Sequence, residues 1–267
     1  MQILIHAGFH KTGTTSVQRT LRENRGALKP RLMVALPWKF RPLLHAARAY
    51  SAYGDPLSLA RFSHRAETFV AGLPPLRTRG LVLCSEELSG HLPGRGGIPD
   101  YRAAVPLMSE LMQALRRRYR DHDLTLAYST RAPDAWLESA YWEQVKSSSQ
   151  TLSLDDFRAR FAAAADFAPL LDTIAAAIAP TGARLQRFAL EDCAAAPLGP
   201  ATALLGLAGL SQADLAALAP VAPANTRLPR AALDQLLQLN RTIPDSAARV
   251  AAKQAFLDSL RPAPQDR

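Results

Sequence analysis

Cysteine is scarce in this 267-residue chain. Cys84 and Cys193 are the only two, too few for a disulfide-stapled fold or a zinc cluster. Cys84 lies inside an apolar run and reads as an inert core residue. Long hydrophobic runs are also missing. The N-terminal apolar run is too short for a secretory signal and has no basic flank. Asp, Arg and Pro break the Ala-rich stretches before any reaches membrane-spanning length. These absences lead us to expect a soluble, cytoplasmic protein with no stable membrane insertion. Acidic residues are outnumbered: 23 Asp and Glu against 32 Lys and Arg give a net charge of +9. That balance favours anionic partners, nucleotides and acidic saccharides among them. The charge is spread along the chain, and neither an RNA-binding signature nor a finger spacing occurs, so we expect no nucleic-acid partner. The sequence leaves the oligomeric state open.

What is present is a globular composition, 48% hydrophobic and 21% charged, on a chain long enough to bury a sizeable core. Short β-branched or apolar runs at Met1–Ile5, Arg31–Pro37, Gly80–Cys84, Asp123–Thr130 and Ala183–Phe188 predict strands. Helical spacing follows each of them. A helix is expected from Thr14 to a stop at Gly26, and others over Pro42–Tyr53, Pro56–Leu73, Tyr101–Tyr119, Pro133–Ser147, Leu154–Ala164 and Phe167–Ala179. Leu228–Asn240 and Asp245–Leu260 complete the chain, with Arg261–Arg267 as a frayed tail. Val105, Met108, Met112, Leu115 and Tyr119 repeat at three and four and mark a core stripe. Arg116, Arg117 and Arg118 read as the solvated end of that helix. Strands alternating with helices, without repeat or long linker, predict one α/β domain over 1–267. It is a three-layer sandwich with a mostly parallel central sheet.

The chemistry concentrates at the end of the first strand, in Gly8-Phe9-His10-Lys11-Thr12-Gly13-Thr14-Thr15-Ser16. A tight glycine- and hydroxyl-rich turn lets backbone N–H groups converge at a helix N-terminus, which attracts anions. Lys11 adds a full positive charge. The order is not that of the nucleoside-triphosphate loop, whose lysine follows the second glycine. Two further strand ends carry polar groups, Glu86 and Glu87 after Cys84, and Arg131 after Thr130. Ligands of open α/β sheets bind outside such carboxyl ends. Arg131 offers a bidentate fork to a phosphate, and Ser139 follows eight residues later on a helix. The loop from Gly90 to Gly97 is a gate or a connection. The basic and aromatic residues of the first helical hairpin, Lys39, Arg41, His45, Arg48, Tyr50 and Tyr53, are solvated faces or a wall of an acceptor pocket.

The stretch His6-Ala7-Gly8-Phe9-His10-Lys11-Thr12-Gly13-Thr14-Thr15-Ser16 resembles the 5′-phosphosulfate loop of sulfotransferases that use 3′-phosphoadenosine-5′-phosphosulfate (PAPS). It looks most like the bacterial and carbohydrate branches. The segment from Arg131 to Ser139 resembles their 3′-phosphate motif, and Asn225-Thr226-Arg227 is similar to a C-terminal loop of bacterial members. The resemblance implies a P-loop-like fold and transfer of a sulfuryl group, without a metal, to a saccharide or other small acceptor. Lys11 would neutralise the leaving phosphate. Thr12, Gly13, Thr14, Thr15 and Ser16 would hold the phosphosulfate, and Arg131, Ser139 and Arg227 the rest of the nucleotide. An acceptor hydroxyl needs a general base. Glu86 is the first choice and His91 the second, with Glu87 and His10 as alternatives, while His6 more simply orders the loop. A phosphoryl transferase or an inactive nucleotide-binding protein are the competing readings.

Overall fold

The computed structural model describes residues 1–221 and 228–260. Strands β1 (Gln2–His6), β2 (Leu32–Ala35), β3 (Gly80–Cys84), β4 (Asp123–Thr130) and β5 (Arg184–Ala189) form one sheet. Their order is β2-β3-β1-β4-β5, and every neighbouring pair is parallel. Parallel neighbours need crossovers, and helices supply them. α1 (Thr14–Glu23) and α2 (Arg25–Leu28) follow β1, and α3 (Arg41–Tyr53) and α4 (Pro56–Ala71) follow β2. α5 (Ala104–Arg118) follows β3, and α6 (Pro133–Ser147), α7 (Leu154–Ala165) and α8 (Phe167–Ile178) follow β4. The described chain ends with α9 (Pro200–Leu207), α10 (Gln212–Ala216), α11 (Arg230–Thr242) and α12 (Ser246–Ser259).

The period-two geometry of β1 divides the core between two faces. Ile3 and Ile5 join one apolar cluster with Phe62, Leu111, Trp136 and Ile174. Leu4 points the other way, into a cluster with Val17, Leu21, Leu204 and Leu205. α1 and α9 therefore cover one face, while α4, α5 and α8 cover the other, giving the three expected layers. The sheet is wholly parallel, as buried two-sided strands with helical crossovers require.

Three local expectations need correction. Asn24, not Gly26, ends α1. Its side chain donates to the Ala219 carbonyl (2.9 Å) and accepts from the Ala219 amide (2.8 Å), which breaks the helix there, and Gly26 continues in α2. The arginines at the end of α5 are not merely solvated. Arg116 donates to the carbonyls of Thr181 (2.7 Å) and His122 (3.0 Å), Arg117 pairs with Glu67, and Arg118 reaches the Leu73 carbonyl. The apolar run is also longer than expected. Leu154–Thr181 spans 28 residues and is long and apolar enough to cross a membrane by length and composition. Asp166 interrupts it, however, capping α8 through the Ala168 amide, and Phe157, Phe161, Leu171, Ile174 and Ile178 are buried in the core. The loop of residues 90–97 is fastened to α6, where Gln144 donates to the Pro93 carbonyl (2.6 Å) and Arg95 to Ser147 (2.8 Å).

Candidate active site

The strand order brings the three polar strand ends together. β1 lies between β3 and β4, with His6 in register with Cys84 on one side and Ala127 on the other. Adjacent strands sit about 4.8 Å apart. The lysine loop, the Glu86 turn and the Arg131 turn therefore emerge side by side at the carboxyl edge of the sheet.

The loop itself is clamped through its carbonyls. Ser89 donates to those of Ala7 (3.2 Å) and Gly8 (3.3 Å). Thr12 donates to that of Phe9 (2.6 Å), Trp136 to that of His10 (2.8 Å) and Arg131 to that of Lys11 (3.2 Å). Five successive carbonyls thus accept from side chains. A planar trans peptide sets each N–H opposite the preceding carbonyl, so the amides of residues 8–12 point away from these clamps. The amide of His10 uses this direction to reach the Tyr101 hydroxyl at 3.1 Å. Lys11 has φ 68° and Gly13 φ 97°, left-handed positions of the kind from which N–H nests are built. Lys11 is the only non-glycine residue with positive φ among the described residues. Such a backbone costs on the order of 1–2 kcal/mol and persists because neighbours hold it on both sides. Phe9 anchors the centre, fully buried and stacked on Phe167 with ring centroids 4.3 Å apart.

At the start of α1 no side chain caps the helix and no acidic residue occupies its first turn. The hydroxyl of Thr14 is buried there without a partner in the protein. An orphaned buried donor at an uncapped helix N-terminus suits a bound anion. Thr15 is exposed and Ser16 half-buried in the same turn.

Behind the loop lies a buried chain of hydrogen bonds whose direction can be worked out. Thr12 donates to the Phe9 carbonyl, so at 2.8 Å its oxygen must accept from Ser129. Ser129 then accepts from His6 Nε2 at 3.1 Å, and His6 Nδ1 is left to accept from the Cys84 thiol at 3.2 Å. Every member is satisfied with His6 neutral, and burial pushes its pKa down to about 4. The same burial pushes the Cys84 thiol up. This network corrects one expectation. The Thr12 hydroxyl is engaged inward and the whole residue is buried, so that hydroxyl is not turned toward an anion.

Lys11 Nζ is 3.1 Å from Glu143 Oε2 on α6, and Lys146 shares the same oxygen at 3.2 Å. Burial raises the Glu143 carboxyl, but the two ammonium groups outweigh it and hold it below its ordinary value. Glu143 escaped the sequence reading. Its only signal was its spacing of four from Ser139, which puts both on one face of α6. Ser139 is half-buried one turn before it.

Glu86 follows β3 and accepts from Gln18 of α1 at 3.0 Å. Burial raises its pKa, Glu87 adds to the rise, and Lys11 opposes it. Glu87 is committed to an ion pair with Arg48 of α3. The amide of His91 donates to Ser51 (3.0 Å), and burial with Arg48 and Arg95 lowers the imidazole pKa. His10 Nδ1 lies 3.2 Å from the Tyr101 hydroxyl, and burial and then Arg95 lower its pKa to about 3. Arg227 lies outside the described residues.

No protein-family model matches the sequence, and no curated protein matches it. Among solved structures the chain is similar to the crystal structure of a sulfotransferase from Alicyclobacillus acidocaldarius. The identity is 16% and the TM-score 0.46, over 97% of this chain and 95% of the other. A likeness of that degree carries no argument about activity.

Proposed function

We propose that this protein is a sulfotransferase that moves a sulfuryl group from PAPS to a hydroxyl of a saccharide or other small acceptor. The observation that carries the reading is the loop whose five carbonyls are tied back by side chains, with Lys11 beside it and the Thr14 hydroxyl buried without a partner at the uncapped start of α1. The order of Lys11 before Gly13 supports phosphosulfate over a nucleoside triphosphate. The nest, with Thr14, Thr15 and Ser16, would hold the 5′-phosphosulfate. Arg131, from the neighbouring strand, and Ser139 would hold the 3′-phosphate, with Arg227 near the nucleotide.

In the reaction the acceptor oxygen attacks sulfur, the bond from sulfur to the bridging phosphate oxygen breaks, and 3′,5′-ADP leaves. Lys11 would exchange Glu143 for the negative charge growing on that oxygen. Aimed donors of this kind are worth roughly 3–4 kcal/mol. The acceptor proton goes to a base, and the turn after β3 puts Glu86 beside the loop at the carboxyl edge of the sheet. Burial raises the Glu86 carboxyl from its ordinary value, which favours a proton acceptor there, and lowers the imidazoles of His91 and His10 from theirs. Glu87 is held by Arg48. Glu86 is therefore our assignment, and Glu86→Gln should lower kcat about 100-fold or more while His91→Ala leaves most of it.

The decisive experiment is calorimetry with 3′,5′-ADP, 5′-AMP and ATP, with and without magnesium. We expect tight, magnesium-independent binding of 3′,5′-ADP. A preference for magnesium-ATP would overturn the proposal.

A further inference from the structure

The basic residues of the α3–α4 hairpin divide between two faces. Arg48 and Ser51 turn toward the candidate site, meeting Glu87 and His91. Arg41 and His45 instead line a cleft of about 290 Å³ between α3 and α4, opposite Arg61 and Arg65, with Ala46 and Ala49 also in its lining. At about 100° per residue, His45, Ala46 and Ala49 fall on a different side of α3 from Ser51. The cleft and the site thus flank a single helix, on the order of 10 Å across.

Nothing in the hairpin helices neutralises the cleft. α3 carries no acidic residue, and the one carboxylate of α4, Glu67, pairs with Arg117 of α5. Arg41, His45, Arg61 and Arg65 have no ion-pair partner among the described residues. Arg41 also opens α3, whose first turn holds no acidic residue and whose N-terminus no side chain caps, so the helix dipole adds to the positive field. The stripe continues past the cations. Tyr53 is one turn beyond Ala49 and 76% exposed, and Leu57 is one turn before Arg61 and 73% exposed. Trp38, just ahead of α3, is 44% exposed. Cations on a small-residue lining, with the exposed aromatics Trp38 just before α3 and Tyr53 at its last residue, offer charge to acidic groups and flat apolar faces to sugar rings.

We propose that this cleft binds an anionic oligosaccharide, one bearing sulfate or carboxylate groups, and holds it across α3 from Glu87 and His91. The identity of the ligand as an acceptor rests on the sulfotransferase reading, while the cleft itself does not. From Arg41 to Tyr53 the stripe is about 18 Å long, at 1.5 Å per residue. That suits a short saccharide segment better than a duplex.

The test is calorimetric binding of a sulfated hexasaccharide to the wild type and to Arg61→Ala/Arg65→Ala at two salt concentrations. Both arginines are exposed, and a second double variant, Arg61→Gln/Arg65→Gln, guards against misfolding. We expect both variants to bind about tenfold more weakly or worse, wild-type affinity to fall with salt, and 3′,5′-ADP affinity to stay the same in all three proteins. Equal saccharide affinity in wild type and variants refutes the proposal. So does tighter binding of a single-stranded oligonucleotide of matched charge, or equal binding of neutral dextran. If the saccharide binds through the cleft while 3′,5′-ADP does not bind at all, the cleft stands and the donor reading falls.

Discussion

Glu143 pairs with Lys11, and that contact sets a measurable competition with any anion that binds at the loop. An anion arriving at the loop must draw the ammonium away from an oxygen 3.1 Å distant. At an effective dielectric of about 20, unit charges some 4 Å apart attract by roughly 4 kcal/mol. The two side chains retain 25% and 23% of their exposure, so solvent screening and side-chain entropy reduce the net value to about 1 kcal/mol. Lys146 stays beside Glu143 and softens the loss further. Glu143→Gln keeps the size and removes the charge. It should tighten 3′,5′-ADP binding by about fivefold, since 1 kcal/mol is close to that factor at 25 °C. The assay is calorimetry at low and moderate salt. A change in the general field would give the same sign, so the variant is repeated in a Lys11→Met background, where the gain should vanish. Unchanged or weaker binding in the single variant, or an equal gain in both backgrounds, refutes the idea that Lys11 is the competed group. Because the carboxyl is held below its ordinary value, the effect should stay constant through neutral pH.

Three further outcomes test the frame around the loop. Gly13→Ala places a Cβ 2.8 Å from Leu190 Cδ1 at φ 97°, which should destabilise by roughly 1–3 kcal/mol in urea titration; a change within error would mean the nest tolerates a side chain. His6 is neutral in the fold with a pKa of about 4, below the ordinary 6.5. Its contribution is therefore complete above pH 6.5 and is lost as pH falls toward 4, by up to about 3 kcal/mol. His10 acts in the same direction, so His6→Gln should lower stability at pH 7 but flatten the loss between pH 6.5 and 4, and parallel curves would count against the network. Lys253 is buried and donates to the carbonyls of Val145 and Ser148 (2.6 Å each) and to Asn240 (2.9 Å). Lys253→Met leaves the Ser148 carbonyl and Asn240 Oδ1 unmet, while Val145 keeps the Asn240 amide at 3.0 Å, and should cost about 3 kcal/mol in denaturant; a loss within error would show that water replaces the ammonium.

The sequence carried the elements well because they are locally encoded. β1, β3 and β4 are apolar runs, Pro133 begins α6, and the stripe of α5 repeats at helical spacing. Boundaries slipped where a distant group decided them, as at Asn24, whose partner is Ala219. The sharp polar turn of residues 8–16 was also readable, being written in glycine, lysine and threonine within one short run. Which threonine turns inward and which is left without a partner was not. Thr12 and Thr14 both occur in the same short run, and the first is turned inward by the Phe9 carbonyl and by Ser129, 117 residues away.

The same principle explains the polarity of the whole loop. A glycine-rich turn can present carbonyls or amides, and its own sequence does not choose. Here the choice is made by Ser89, Trp136 and Arg131, which arrive from the turn after β3, from α6 and from the end of β4. Each satisfies a carbonyl that would otherwise repel an anion or lie buried without a donor. None of these three residues need touch the ligand with its own side chain to serve it, and Arg131 can do both. Phe9 supplies the apolar counterpart, a fully buried ring in the centre of a polar loop. On the proposed reading, a loop fixed in this way would have its dipoles aimed in advance, which is the condition for electrostatic stabilisation to favour a transition state. Lys11 would then be the charge that moves, and in the fold its partner is Glu143.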